Sequence, residues 1–348
     1  MKEVSLQKIY SALGSRGLRI AALKTAELFG IHNLLVRMDT NNLCNLDCRM
    51  CPEATARRSK GFKPWIMKLD DFKRVAREVF PYAHVLYLSC AGEAFMTQGF
   101  VGYVKVAASY KVPFISFATN GMLIDEEIVA TCIEHRISQV AISANAARAE
   151  TFEAISSGAS FARLLENLAL IRDSKKAVGS KLPEVRLNYT ISKPNWREVL
   201  DFVDLANEYD VGSVQFRPLT PFDNTRWSIE NQLDPEEERQ VAGLLEEGKR
   251  RSETYGIKLL GHGEFTGKGL RDKGSMVANC VYPWYYRYID PRSMMKICPS
   301  RKPVGNLLEK SYVEIMRSEE VRSLKRDVLH RPETCRLICT PQVSSLAL

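Results

Sequence analysis

Three cysteines stand in the run Cys44-Asn45-Leu46-Asp47-Cys48-Arg49-Met50-Cys51 of a 348-residue chain. A short loop with C-x3-C-x2-C spacing can fold its sulfurs around one cuboidal four-iron cluster. Three thiolates then leave the fourth iron open to another ligand. A zinc site would more naturally draw on paired C-x2-C knuckles, and its tetrahedron would still lack a ligand here. Three unrelated loop thiols are the plain alternative; the strand before the loop and the motifs after it argue against that. A second set, Cys280, Cys298, Cys335 and Cys339, lies near the C-terminus. Four thiolates suit either a fully ligated cluster or zinc, and spacing does not choose between them. Cys132 falls on an apolar helical pattern and reads as core. Cys90 precedes Ala91-Gly92-Glu93 and reads either as a small buried residue or as a contact group near the chemistry.

Such loops need a rigid frame. From residue 33 to about 220, β-rich runs alternate with helical patterns. The strand candidates are Leu34–Met38, Val85–Ser89, Phe114–Ala118, Gln139–Ser143, Val185–Thr190 and Ser213–Arg217. Amphipathic stretches such as Asp70–Phe80, Leu164–Arg172 and Trp196–Tyr209 separate them. Six units of this kind predict an α/β fold, a parallel partial (β/α)6 TIM-like barrel with its site at the C-terminal ends of the strands. The cysteine loop falls there, just after the first strand. Asp234-Pro235-Glu236-Glu237 opens a further helix with a cap, a first-turn proline and an acid at the third position. That helix should run to about Tyr255 and lead to a strand near Ile257–Leu260. The expected division is a helical segment over 1–32, the barrel over 33–225, a connecting helix and strand over 226–275, and a small C-terminal α+β unit over 276–348.

Composition excludes several classes. Apolar content of 45% and charged content of 26% are those of a globular protein, and the net charge of +8 is scattered. No aromatic-interleaved basic stripe suggests nucleic acid. No apolar run approaches the ~20 residues needed to cross a bilayer. The N-terminal apolar residues are periodic and interrupted by charge, unlike a signal peptide. Nine cysteines without secretion signals suggest reduced thiols serving metals in the cytoplasm.

The order of these motifs resembles the radical S-adenosylmethionine (SAM) superfamily over roughly residues 33–220. The resemblance implies that Cys44, Cys48 and Cys51 hold a [4Fe–4S] cluster. Its open iron binds SAM, which is cleaved reductively to a 5'-deoxyadenosyl radical. Ala91-Gly92-Glu93 matches the family's Gly-Gly-Glu element with one substitution, implying that Glu93 receives the methionyl ammonium. Thr119-Asn120-Gly121 resembles the family's TNG turn. Ser143 and Asn145 fall where family members place polar groups on the ribose. Arg186 would pair with the cofactor's carboxylate, or else form a structural ion pair; alternation puts it on one strand face with Asn188 and Thr190. Phe216-Arg217-Pro218-Leu219 ends the sixth strand, where the family contacts adenine. Met50 stands where many members carry an aromatic residue, and adenine can rest on a thioether. Arg217 and Cys90 are the candidate catalytic residues.

The segment from Cys298 through Val304-Gly305-Asn306-Leu307 to Tyr312-Val313-Glu314-Ile315-Met316 resembles the SPASM/twitch extensions of that family. This implies a second [4Fe–4S] cluster on Cys280, Cys298, Cys335 and Cys339. The resemblance also implies a flavodoxin or ferredoxin-type electron donor. The expected substrate is a small carbohydrate-like molecule, undergoing dehydrogenation, epimerisation, dehydration or decarboxylation. Arg217 or Arg287 would hold an acidic group. The alternatives are a peptide-modifying maturase and a non-catalytic iron–sulfur scaffold.

Overall fold

The structure, a computed structural model, describes residues 15–28, 34–222, 224–261 and 280–330. Among these residues the strands in chain order are β1 (Leu34–Met38), β2 (Ala83–Leu88), β3 (Phe114–Thr119), β4 (Gln139–Ser143), β5 (Glu184–Ile191), β6 (Ser213–Pro218), β7 (Lys258–Leu260), β8 (Tyr286–Ile289), β9 (Met294–Lys296) and β10 (Gly305–Asn306). They form one sheet in the order β10-β9-β8-β1-β2-β3-β4-β5-β6-β7. The six expected strands are present and parallel, within two residues of their expected limits. The strand expected near Ile257–Leu260 is β7, parallel on β6, and the structure adds β8, parallel on β1. Then β9 and β10 continue antiparallel, so the small C-terminal unit shares its sheet with the barrel.

Strand alternation gives the sheet two different faces. On β5, Val185, Leu187, Tyr189 and Ile191 are buried against helices, while Arg186, Asn188 and Thr190 are only partly buried on the inner face. Strand register carries that inner face across the barrel. Arg37 pairs with Tyr87 and Tyr288, Tyr87 with Ser116, Ser116 with Gln139, Ala141 with Arg186, and Asn188 with Gln215. Leu35, Val85, Tyr87 and Tyr286 form an apolar floor in this lumen. The outer face carries the main core. Helix Leu69–Val79 shows the logic, burying Phe72, Val75, Ala76 and Val79 at helical spacing.

Helix Pro235–Tyr255 begins with the expected capping box, Asp234 and Glu237, and ends at Gly256 in the left-handed region. Helix Arg16–Leu28 packs Ile20 and Leu23 into the main core. The rest of the expected helical segment, residues 1–14, lies outside the described residues, as does most of the glycine-rich stretch 261–275. Tyr312, Ile315, Val321, Leu324 and Val328, from the two last described helices, also join the main core. No helix among the described residues is long and apolar enough to cross a membrane.

Candidate functional site

Immediately after β1 the chain carries Asp39, Thr40 and Asn41, all buried. Their side chains cannot remain unpaired at that depth, and each bonds to the loop after β2. Asp39 Oδ1 accepts from the Cys90 and Ala91 amides, and its Oδ2 accepts from Tyr288 Oη at 2.8 Å. The Thr40 hydroxyl bonds with Ser89 and Thr97 at 2.8 and 2.7 Å. Asn41 Nδ2 donates to the Glu93 carbonyl and to Thr97 Oγ1, while Asn41 Oδ1 accepts from the Leu43 amide. None of Asp39, Thr40, Asn41 and Thr97 was singled out from sequence. A run of three polar residues directly after a buried strand was the available signal.

The interlock explains Gly92. A Cβ there would lie 2.4 Å from Asn41 Oδ1 and 2.7 and 2.9 Å from the Asn41 and Leu43 carbonyls. Only glycine lets the two loops approach so closely. Ser89, which starts the second loop, has φ 49, a left-handed value uncommon outside glycine. Glu93 is buried, and its carboxylate accepts from Thr119 Oγ1 and the Asn120 amide, both at 2.7 Å, and from the Phe95 amide at 3.4 Å. Burial raises its pKa above the ordinary carboxylate value, opposed by these bonds.

The third loop reaches the cysteines. Asn120 Nδ2 donates to Asn45 Oδ1 at 2.8 Å and lies 3.7 Å from Cys44 Sγ. Asn120 is therefore more than a turn residue. Gly121, at φ 83, turns the chain where an added Cβ would meet Ile142 and Leu164 at 3.0 Å.

Cys44, Cys48 and Cys51 are all partly buried. Burial and the neighbouring Cys51 and Cys44 push the Cys48 thiol up to about 12, opposed by a hydrogen bond with Ser156 and the charge of Arg57. Cys44 is also raised by burial, while Leu46 N–H, Arg57 and Asn120 favour its thiolate. Three thiols near enough to repel as thiolates, with N–H donors and a guanidinium around them, fit an anionic iron–sulfur cluster. Among the described residues no group of three or more His, Cys, Asp or Glu side chains is placed to hold a single metal ion. A cuboidal cluster puts each cysteine on a different iron, so wider spacing is compatible with it.

The other expected residues are distributed around this centre. Met50 is partly buried in the cysteine loop, and Ala91 is exposed beside Gly92. Ser143 ends β4, partly buried. Asn145 is buried, and its Oδ1 accepts from the Thr190 amide at 2.9 Å. Leu219 is buried just beyond β6, its amide bonded to the Ile191 carbonyl at 3.0 Å. Arg217 Nη2 donates to Gln215 Oε1 at 2.7 Å on the inner face. Cys90 meets Arg37 and Arg186; burial raises its thiol, and the two guanidinium groups oppose that. Arg37 and Cys90 were thus joined by folding from β1 and the β2 loop.

One expectation is corrected. Arg287 does not face the lumen. It is fully buried on the outer side of β8, donating to Tyr312 Oη at 3.0 and 2.9 Å and to the Pro283 and Tyr286 carbonyls. Alternation along β8 sends Tyr286 and Tyr288 inward and Arg287 outward. Cys132 is buried, as its apolar setting implies. Cys280 and Cys298 are partly buried, with Tyr282 and Tyr285 near Cys280. Cys335 and Cys339 lie outside the described residues.

Residues 38–206 match the Radical SAM superfamily model. GTP 3',8-cyclase of Geobacter sulfurreducens is 24% identical over 75% of this chain and 84% of its own length. GTP 3',8-cyclase of Peptoclostridium acidaminophilum is 27% identical over 56% of this chain and 58% of its own. Among solved structures, Streptococcus suis SuiB bound to S-adenosylmethionine aligns with TM-score 0.65 and 13% identity, covering 93% of this chain and 78% of SuiB. Native anSMEcpe with bound AdoMet gives TM-score 0.61 and 13% identity over 87% and 88%. At such identity these two establish the fold. With its superfamily core at residues 38–206 and the three-cysteine loop at the barrel mouth, this chain is a radical SAM enzyme that uses a [4Fe–4S] cluster and S-adenosylmethionine.

Proposed function

We propose that the enzyme abstracts a hydrogen atom from a small, polar, sugar-bearing molecule held in the barrel lumen. One observation carries this reading: the lumen above its apolar floor is lined by Arg37, Ser116, Arg186, Asn188, Gln215 and Arg217 rather than by the branched aliphatic layers of a filled barrel. Hydroxyl and anionic groups would find donors there. Relatives named for GTP, a ribose nucleotide, support the sugar-bearing class.

When bound, the cluster and S-adenosylmethionine supply an electron and the 5'-deoxyadenosyl radical. The protein's part is positional. Gly92 admits the close loop contact, and Glu93, held by Thr119 and Asn120, would receive the methionyl ammonium. Ser143, Asn145, Met50 and Leu219 would hold the nucleoside. Arg186 serves the cofactor's carboxylate, and Arg217 an acidic substrate group. Cys90, beside two arginines, contacts the substrate. Dehydrogenation, epimerisation, dehydration and decarboxylation all begin with the same abstraction. Cys280, Cys298, Cys335 and Cys339 hold the auxiliary [4Fe–4S] cluster in this reading.

Anaerobic reconstitution with dithionite, S-adenosylmethionine and fractionated small metabolites is the test. Stimulated 5'-deoxyadenosine formation with consumption of a sugar-bearing molecule is expected. Formation stimulated only by peptide fractions rejects the reading. A peptide substrate is the second reading, favoured by the shared fold with SuiB, which is also known bound to its precursor peptide SuiA. On a Cys44/Cys48/Cys51 triple-alanine variant, about four remaining irons with sulfide support the auxiliary cluster, whereas zinc without sulfide rejects it.

A further inference from the structure

Directly beyond the cysteine loop, the chain forms a strap over residues 58–68 after helix Pro52–Arg57. The strap is bonded back onto the first loop. Trp65 N donates to Asn42 Oδ1 at 2.8 Å, Asn42 Nδ2 to the Lys63 carbonyl at 2.9 Å, and Met67 N to the Thr40 carbonyl at 2.8 Å. It is thus fixed to the segment that runs into Cys44. Its outer side is unusual in two respects. Trp65 and Ile66 are 44% and 46% exposed, side by side. Around them in sequence stand Lys60, Lys63 and Lys68, all exposed, with no carboxylate among the described residues in ion-pair reach. The Arg292 guanidinium stands over the Trp65 ring at 5.9 Å but is neutralised by its ion pair with Asp290 at 2.6 Å. Arg58 is different, being paired with Asp47.

An exposed aromatic and aliphatic pair rimmed by unpaired cations has the anatomy of a transient interface. The charge calls for an acidic partner, and the position calls for one that must come close to the cysteine loop. We infer that the strap, with Trp65 and Ile66 at its centre and Lys60, Lys63 and Lys68 around them, docks a small acidic one-electron carrier protein. One electron leaves the reduced carrier and enters at the Cys44/Cys48/Cys51 site; the carrier is oxidised by one electron and no atom is transferred. This rests on the radical SAM assignment and is independent of the substrate proposed above.

The test uses the reconstituted full chain and a flavodoxin as the acidic carrier. Binding is measured by titration calorimetry at increasing KCl, and 5'-deoxyadenosine formation is measured with reduced flavodoxin and, separately, with dithionite. In a Lys60→Glu/Lys63→Glu variant, flavodoxin affinity should fall about tenfold or more and lose most of its salt dependence. Trp65→Ala should weaken binding without altering the salt slope. Dithionite-driven turnover and iron content should stay at the parent level in both variants. Unchanged flavodoxin affinity in the charge-reversed variant overturns the proposal. So does an equal loss with dithionite, which would assign the strap to the substrate, a peptide included. Absence of dithionite-driven 5'-deoxyadenosine in the parent protein would instead count against the enzymatic reading itself.

Discussion

Around Cys44, the polar side chains of Asp39, Thr40, Asn41, Glu93, Thr119 and Asn120 all have hydrogen-bond partners on neighbouring loops. In the lumen below, Arg37 Nε, Ser116 Oγ, Arg186 Nε and Asn188 Oδ1 are buried without a hydrogen-bond partner. An unmade hydrogen bond on a buried group costs about 1–3 kcal/mol. The loops therefore add to the fold's stability, while the lumen takes from it. The contrast separates two tasks. The loops around the cysteines are assembled before anything binds; the lumen holds donors and acceptors for the cofactor's carboxylate and for a substrate still to come.

Substitutions can break or sharpen that contrast. The largest effect is expected for Cys48→Ala. It should remove the open-corner cluster and reduce 5'-deoxyadenosine to background, read by anaerobic iron and sulfide analysis and by product assay. Gly92→Ala comes next. Its methyl meets two carbonyls and an amide oxygen, so stability should fall by about 1–3 kcal/mol, seen in urea unfolding. Glu93→Gln should destabilise by a comparable or smaller amount, about 1–3 kcal/mol, because a carboxylate accepting from three donors becomes an amide with only one acceptor oxygen. Arg186→Ala and Asn188→Ala should do the reverse. Stability should stay within about 1 kcal/mol of the parent or rise, while productive turnover falls. If these two variants unfold as readily as Gly92→Ala, the distinction between loops and lumen fails. The smallest effect belongs to Tyr288→Phe, which removes one bond to Asp39 at the border of the two regions; about 1 kcal/mol is expected, by thermal unfolding.

Much of this was legible in the residues. The six parallel strands stood out because buried runs are short, β-branched and bounded by turns, and Asp234 with Glu237 announced its helix by local capping chemistry. The cysteine loop, Gly92-Glu93 and Asn120 were readable as motifs. Strand β8 was not. No local pattern in Tyr286-Arg287-Tyr288 says that the two tyrosines register with Leu35 and Arg37. Arg287 was misread for the same reason, since inward or outward depends on the register of a strand that had not been recognised. Asp39, Thr40 and Asn41 were missed because a polar run after a strand looks like any solvated turn until its partners on another loop are known.

The hydrogen bond from Tyr288 to Asp39 joins residues 249 positions apart. A nascent chain leaving the ribosome therefore exposes its iron-binding thiols long before β8 arrives to cover the β1 edge. During that interval the edge is open to mispairing. A message truncated ahead of Tyr286 should yield an aggregating fragment rather than a smaller working enzyme.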